Sequence, residues 1–120
     1  MEEFGVKVLE GKILVSAKNE DDKRIIFDTD TGETFALFHK QDCCENVYVE
    51  DICGELADLA GSPIITAEEV SNEDRPPLYD DEENYTWTFY RFATAKGAVT
   101  IRFYGTSTGY YSESVSFEAL

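Results

Sequence analysis

The sequence predicts an α+β protein that is mainly β, with an antiparallel sheet of about six strands and one or two short helices. Most apolar residues fall in short segments rich in β-branched and aromatic residues, separated by glycines and acidic residues that favour turns. Helical spacing is confined to one short segment between two glycines. A chain of 120 residues that is 42% hydrophobic can bury one core, so we expect residues 1–120 to form a single domain.

The N-terminal third predicts a three-stranded meander. Its strands are expected over residues 11–17, 24–27 and 33–39, where β-branched and apolar residues predominate. The polar residues 19–22 and the Asp-Thr-Gly sequence at 30–32 separate these segments and are typical of turns.

The middle of the chain predicts a short helix, a strand and an acidic loop. Residues 54–61 place two leucines three apart on one helical face, with Gly61 as the stop and Pro63 preventing continuation. A strand is expected over residues 64–67. Residues 71–84 are polar, contain two prolines and end in a run of carboxylates, which predicts a mobile acidic surface loop within the domain.

The C-terminal third predicts a hairpin of two long strands, residues 85–94 and 98–105. A three-residue loop ending at Gly97, with that glycine in the left-handed region, would join them. This register pairs Phe89 with Phe103. The predicted core face then carries Trp87, Phe89, Ala93, Val99, Ile101 and Phe103.

The opposite face of this hairpin predicts a ligand site. It carries Thr88, Tyr90, Phe92, Thr100, Arg102 and Tyr104. In the predicted register Tyr90 lies opposite Arg102, and aromatic rings around a guanidinium can stack on a nucleobase while the guanidinium binds a phosphate. The alternative is that this face packs on the helix, with the stem of Arg102 lying along the rings.

A glycine-bracketed hydroxyl segment, residues 105–112, follows the hairpin and leads into a last strand over 110–117. Its amides and hydroxyls predict an anion cradle, although an ordinary hairpin turn explains the same residues. The complete ligand site predicted from the sequence consists of Tyr90, Arg91, Phe92, Arg102, Tyr104, Thr106, Ser107 and Tyr110.

The charge of the chain limits its partners. Twenty-five acidic and ten basic residues give a net charge of −15, which disfavours direct nucleic-acid binding and anionic membranes and attracts basic partners. The alternative is that the charge only keeps the protein soluble. No apolar segment approaches the roughly 20 residues of a membrane helix, and residues 1–4 are acidic where a signal peptide is basic, so we expect a cytoplasmic protein.

Three cysteines, Cys43, Cys44 and Cys53, are expected to be reduced, because their number is odd and no secretory signal is recognised. Adjacent cysteines point in opposite directions on an extended chain, so we expect no shared metal ion. An enzyme with His39 as the base for Cys43 or Cys44 is an alternative. Since no cofactor motif is recognised, we expect a binding protein without cofactor or metal rather than an enzyme.

Four segments resemble a family of small proteins, largely of phages and prophages, with mostly unassigned function. They are residues 39–48, 61–64, 85–90 and 102–113, and the resemblance spans residues 9 to 117. This family is similar to the phage anti-Thoeris sponges, which are oligomers that bind a cyclic ADP-ribose-type immune signal without cleaving it. The resemblance implies a homo-oligomeric counter-defence protein of the host cytoplasm whose partner is a small nucleotide signal.

The alternative function is an acidic inhibitor that binds a basic host defence protein by imitating nucleic acid. Its binding surface would use acidic residues of the loop and of the segments beside it, namely Glu68, Glu69, Glu73, Asp74, Asp80, Asp81, Glu82 and Glu83.

Overall fold

A computed structural model describes residues 5–71, 75–79, 84–109 and 112–120. The described residues form eight strands in two antiparallel sheets, which confirms the mainly-β prediction and divides the strands between two sheets instead of one. The first sheet has the order β1-β2-β3-β8, with β1 Leu14–Glu20, β2 Arg24–Thr29, β3 Thr34–Phe38 and β8 Ser116–Ala119. The second has the order β4-β7-β6-β5, with β4 Asn46–Cys53, β5 Thr66–Ser71, β6 Tyr85–Thr94 and β7 Gly97–Thr106.

Two short 3₁₀ helices, Val6–Leu9 and Leu56–Leu59, complete the described elements. The second lies within residues 54–61, where the sequence predicts a short helix, and it buries Leu59. No helix in the described part of the chain is long and apolar enough to cross a membrane.

The inward faces of the two sheets share one hydrophobic core. Phe27 of β2 packs on Phe92 of β6 with the ring centroids 5.3 Å apart, and Phe35 of β3 stacks on Phe117 of β8 at 5.3 Å. Each buried aromatic or large aliphatic side chain contributes about 1.5–3 kcal/mol by leaving water. The predicted N-terminal meander, β1-β2-β3, therefore forms half of a two-layer structure, and β8 pairs with its third strand.

The hairpin of β6 and β7 has a different register from the predicted one. Thr94 pairs with Gly97, so the loop has two residues, and Gly97 does not adopt a positive φ. The Thr94 hydroxyl donates to the backbone oxygen of Asp58, 2.6 Å away, and a Cβ on Gly97 would lie 3.2 Å from the Asp58 carboxylate. The second 3₁₀ helix thus fixes this turn. Gly97 is needed because Asp58 approaches its Cα closely, and not because the backbone requires a positive φ.

A one-residue change in register moves side chains to the other face of the sheet. Phe89 pairs with Arg102, and Tyr90 pairs with Ile101. The predicted core face was therefore wrong in part. The core takes Tyr90, Phe92, Val99, Ile101 and Phe103 from this hairpin, while Trp87 and Phe89 belong to a separate cluster on the opposite face.

The observed strands differ from the prediction at two further places. Strand β4 was missed, because two adjacent carboxylates, Glu50 and Asp51, interrupt the alternation of apolar and polar residues in its middle. A register shift between Val49 and Asp51 accommodates the extra residue. The last strand begins only at Ser116, and residues 110–111 lie outside the described residues. In the predicted acidic loop, residues 72–74 and 80–83 also lie outside them.

Candidate functional site

The outward face of the second sheet carries three of the residues that the sequence predicts to bind a ligand, Arg91, Arg102 and Tyr104. We call it the outer aromatic face; it consists of Tyr48, Val70, Tyr85, Trp87, Phe89 and Tyr104. Trp87 is only 3% exposed and Tyr104 only 1% exposed, although both point away from the core between the sheets. Something other than the first sheet must therefore cover them.

The covering segment is 75–79. The indole Nε1 of Trp87 donates to the backbone oxygen of Pro76 at 2.9 Å, and the Tyr104 hydroxyl accepts from the Leu78 amide at 3.1 Å. The Arg75 guanidinium lies over two rings of this face. Its Cζ atom is 4.9 Å from the centroid of the Trp87 ring and 5.7 Å from the centroid of the Phe89 ring. This part of the predicted loop is packed on the sheet and stabilises it through cation–π contacts.

Arg75 was missed by the sequence analysis, which assigned the aromatic–arginine combination to Arg102 and Tyr90. The available signal was the alternation of Trp87 and Phe89, which leaves one large apolar face for a neighbouring segment to cover. That signal does not say which segment covers it.

Arg102 lies on the outer aromatic face beside Phe89, but carboxylates of β4 hold its guanidinium. Nη2 lies 2.8 Å from Oε1 of Glu50 and 2.9 Å from Oδ2 of Asp51. The irregularity in β4 is what brings two adjacent acidic residues to one arginine. A phosphate at this position would have to compete with both carboxylates.

Two other predicted ligand residues point into the core. Tyr90 and Phe92 are each 1% exposed, and the Tyr90 hydroxyl donates to Oε1 of Glu69 at 3.3 Å. The predicted juxtaposition of Tyr90 with Arg102 was therefore wrong, because the observed register puts them on opposite faces of the sheet. Arg91 is exposed on the outward face, with Nη1 3.9 Å from Oε1 of Glu68.

The predicted anion cradle is filled by a carboxylate of the chain itself. Glu113 accepts hydrogen bonds from the hydroxyls of Thr86, at 2.7 Å, and Ser107. Gly105 allows this approach, since a Cβ there would lie 3.0 Å from the Cβ of Glu113. Thr106 ends β7, and predicted site residue Tyr110 lies outside the described residues.

A second polar site lies beside the cysteines. His39 bonds through Nε2 to Oε2 of Glu45 at 2.8 Å and through Nδ1 to the backbone oxygen of Ser114 at 2.6 Å. Both partners are acceptors, so the imidazolium form of His39, with two N–H donors, satisfies both contacts. The histidine side chain therefore ties the loop before β4 to the segment before β8.

Glu45 organises the loop that it follows. Its carboxylate accepts from the amides of Cys43, at 2.8 Å, and Asp42, at 2.9 Å, as well as from His39. Burial alone raises the pKa of Glu45, but the hydrogen bonds from Cys43, His39 and Asp42 outweigh it and lower the pKa to about 2. This role of Glu45 in holding the loop was not predicted from the sequence.

Cys43 and Cys44 are joined by a disulfide, whereas Cys53 is free and exposed. The prediction that all three are reduced was therefore wrong for the adjacent pair. The thiol–histidine pair considered as an enzyme alternative is not formed, since both His39 nitrogens are hydrogen-bonded elsewhere and both thiols are consumed. Among the described residues, no group of three or more His, Cys, Asp or Glu side chains is arranged to hold a metal ion.

The fold and these contacts define a small two-sheet β protein whose predicted phosphate-binding groups are largely held by its own carboxylates. The chain belongs to the family described as a domain of unknown function, DUF7448, whose profile matches residues 7–117. No curated protein and no solved structure matches the chain.

Proposed function

We propose that this protein is a non-catalytic binding protein whose acidic surface holds a basic partner protein. The observation that supports this most is the pairing of its cations. Six of the ten Lys and Arg side chains lie within 3.9 Å of a carboxylate of the same chain, namely Lys7, Lys12, Arg24, Lys40, Arg91 and Arg102. Such a surface offers an anion few unpaired charges and leaves a large excess of carboxylates to attract cations.

Several carboxylates in the part of the chain that the structure describes are available to bind a basic partner. They are exposed and have no ion-pair partner among the described residues: Asp21, Asp22, Asp30, Asp42, Glu55 and Glu69. Glu69 also belongs to the acidic surface expected from the sequence. The resemblance to phage proteins suggests a basic defence protein of the host as the partner.

The partner can be sought by affinity capture. Immobilised protein is exposed to a bacterial lysate treated with nuclease, and the bound proteins are eluted in steps of NaCl. Because opposite charges steer association and salt screens them, basic proteins should bind at low salt and elute as the salt rises. The proposal would be contradicted if acidic and basic proteins were captured equally and stayed bound at every salt concentration.

A second candidate is the sequestration of a small nucleotide signal of the cyclic ADP-ribose type. The stacking of Arg75 over Trp87 and Phe89 favours it, because it offers a guanidinium beside aromatic rings. The resemblance further implies that such a sponge is a homo-oligomer. Light scattering coupled to size-exclusion chromatography measures the molar mass in solution and so tests this.

The single tryptophan makes this candidate directly testable. A nucleotide bound beside Arg75 should change Trp87 fluorescence saturably, and Arg75→Ala should weaken binding about tenfold, the equivalent of roughly 1.4 kcal/mol. Arg91→Ala is the matched control, since Arg91 is exposed on the outward face of the same sheet and its guanidinium lies 3.9 Å from Glu68 instead of over Trp87. Fluorescence that does not respond to any nucleotide of the panel would remove the candidate for those nucleotides.

A further inference from the structure

A cleft of about 330 Å³ opens where the first 3₁₀ helix, β5, β6 and the segment leading into β8 come together. At about 30 Å³ per water molecule, its volume corresponds to roughly ten waters, enough for one extended side chain and its hydration. Val6, Val115 and Phe117 give it apolar walls. Glu69, Tyr90 and Ser114 provide its polar groups.

Glu69 is the charged group of this cleft. Tyr90 donates to one of its carboxylate oxygens at a long distance of 3.3 Å, and no ion pair of Glu69 is formed among the described residues. The residue is exposed, so a cation can reach it from solvent. A carboxylate in a cleft whose walls are partly apolar suits a group with an apolar stem and a positive end.

We infer that this cleft receives an arginine side chain of the basic partner, with its guanidinium at Glu69 and its stem against Val6, Val115 and Phe117. The inference rests on the proposed function and specifies where the partner is anchored. Arginine fits because a guanidinium has five N–H donors in a fork that matches a carboxylate, and the cleft offers the carboxylate of Glu69 with Ser114 as a further polar lining residue.

The neighbouring residue Glu68 provides a matched control. Glu68 and Glu69 are adjacent in β5, so their side chains point to opposite faces of the sheet. Glu69 faces the cleft, whereas Glu68 lies beside Arg91 on the outward face. Glu69→Gln and Glu68→Gln remove the same charge from the same strand, and only the first changes the cleft.

The test uses N-acetyl-arginine methylamide as the probe and its citrulline analogue, which has nearly the same shape without the charge. In two-dimensional NMR titrations, the arginine probe should shift the amide signals of Glu69, Val115 and Phe117. Glu69→Gln should weaken this binding at least fivefold, Glu68→Gln should change it less than twofold, and the citrulline probe should leave the cleft signals unchanged. The inference would be overturned if the arginine probe shifted only amide signals outside the cleft, or if Glu69→Gln and Glu68→Gln weakened its binding equally.

Affinity capture of basic proteins with the same two variants separates this inference from the proposed function. The inference expects Glu69→Gln to reduce capture more than Glu68→Gln does. Equal reductions would overturn the arginine site and leave binding of a basic partner standing. If wild-type protein captures no basic protein at any salt concentration, the proposed function fails, and the assignment of a partner's arginine to the cleft fails with it.

Discussion

At the scale of single residues, two buried or half-buried charges are held by specific partners. Glu45 is surrounded by the donors of its own loop and by His39, and Arg102 is held by two carboxylates of β4. Their roles are opposite in one respect. Glu45 stabilises a loop through hydrogen bonds from neutral amides, whereas Arg102 compensates like charges that would otherwise repel each other.

The lowered pKa of Glu45 predicts a particular dependence of stability on pH. Since the folded-state pKa is about 2 and its ordinary value is 4.5, the stabilisation is fully present above about pH 4.5 and is lost as the pH falls through 2. The difference in the free energy of unfolding between wild type and Glu45→Gln should therefore shrink over this range. Urea denaturation from pH 7 to 2 measures it, with Glu55→Gln as an exposed control. A difference that stays constant down to pH 2 would contradict the assigned role.

Arg102 is expected to matter for stability. Replacing it by Met leaves Glu50 and Asp51 adjacent without their common partner, which should cost about 1–3 kcal/mol. Adding Glu50→Gln should recover part of this loss. Arg91→Ala, which removes a long exposed ion pair, should cost no more than about 1 kcal/mol. Chemical denaturation decides between this role and a purely ligand-binding role, for which Arg102→Met would leave stability unchanged.

At the scale of elements, the junction between β4 and the second 3₁₀ helix controls how the second sheet is completed. Gly54 follows β4 with φ of +105°, and a Cβ on it would lie 2.5 Å from the backbone oxygen of Ala98 in β7. The same 3₁₀ helix fixes the turn at Thr94 and so the register of β6 on β7. Tertiary contacts at one end of the sheet therefore determine which faces the aromatic side chains occupy.

Gly54→Ala should be markedly destabilising, because it combines a strained backbone with a clash against backbone atoms that cannot rotate away. Gly32→Ala isolates the first contribution, since Gly32 has φ of +90° and open space around its Cβ position. We expect Gly32→Ala to lower the free energy of unfolding by about 1–3 kcal/mol through backbone strain alone. Gly54→Ala should lower it clearly more. Thermal and urea denaturation of the two variants measure this. Equal losses would mean that the chain relaxes away from Ala98.

These elements also show what the sequence could and could not predict. The positions of β2, β3, β6 and β7 follow from local composition, because β-branched and aromatic residues are concentrated there. The register of the hairpin was predicted from turn chemistry alone, and this was insufficient because the contact with Asp58 is non-local. For the candidate site, the sequence predicted an aromatic face with Arg102, but the arginine that stacks on the outer aromatic face is Arg75, from the loop between β5 and β6.

At the scale of the whole molecule, the net charge of −15 is known from composition, whereas its distribution is not. The structure pairs most cations with carboxylates, so the excess charge is left on acidic side chains. Self-repulsion among them should lower stability at low ionic strength.

Salt should therefore stabilise the protein. Raising NaCl from 10 to 500 mM shortens the Debye length from about 30 Å to a few ångströms and screens this repulsion. The midpoint of thermal unfolding should rise by several degrees, and KCl should have the same effect as NaCl. A lower midpoint in both salts would indicate that the ion pairs outweigh the repulsion.

The central claim is that the protein binds a cationic partner and not an anionic one. Calorimetric titration tests it most directly, with a captured basic protein and a panel of cyclic nucleotides of the ADP-ribose type as two sets of ligands. We predict saturable, salt-dependent binding of the basic protein and no heat of binding with the nucleotides. Saturable micromolar binding of a nucleotide, with no binding of any basic protein, would contradict the claim.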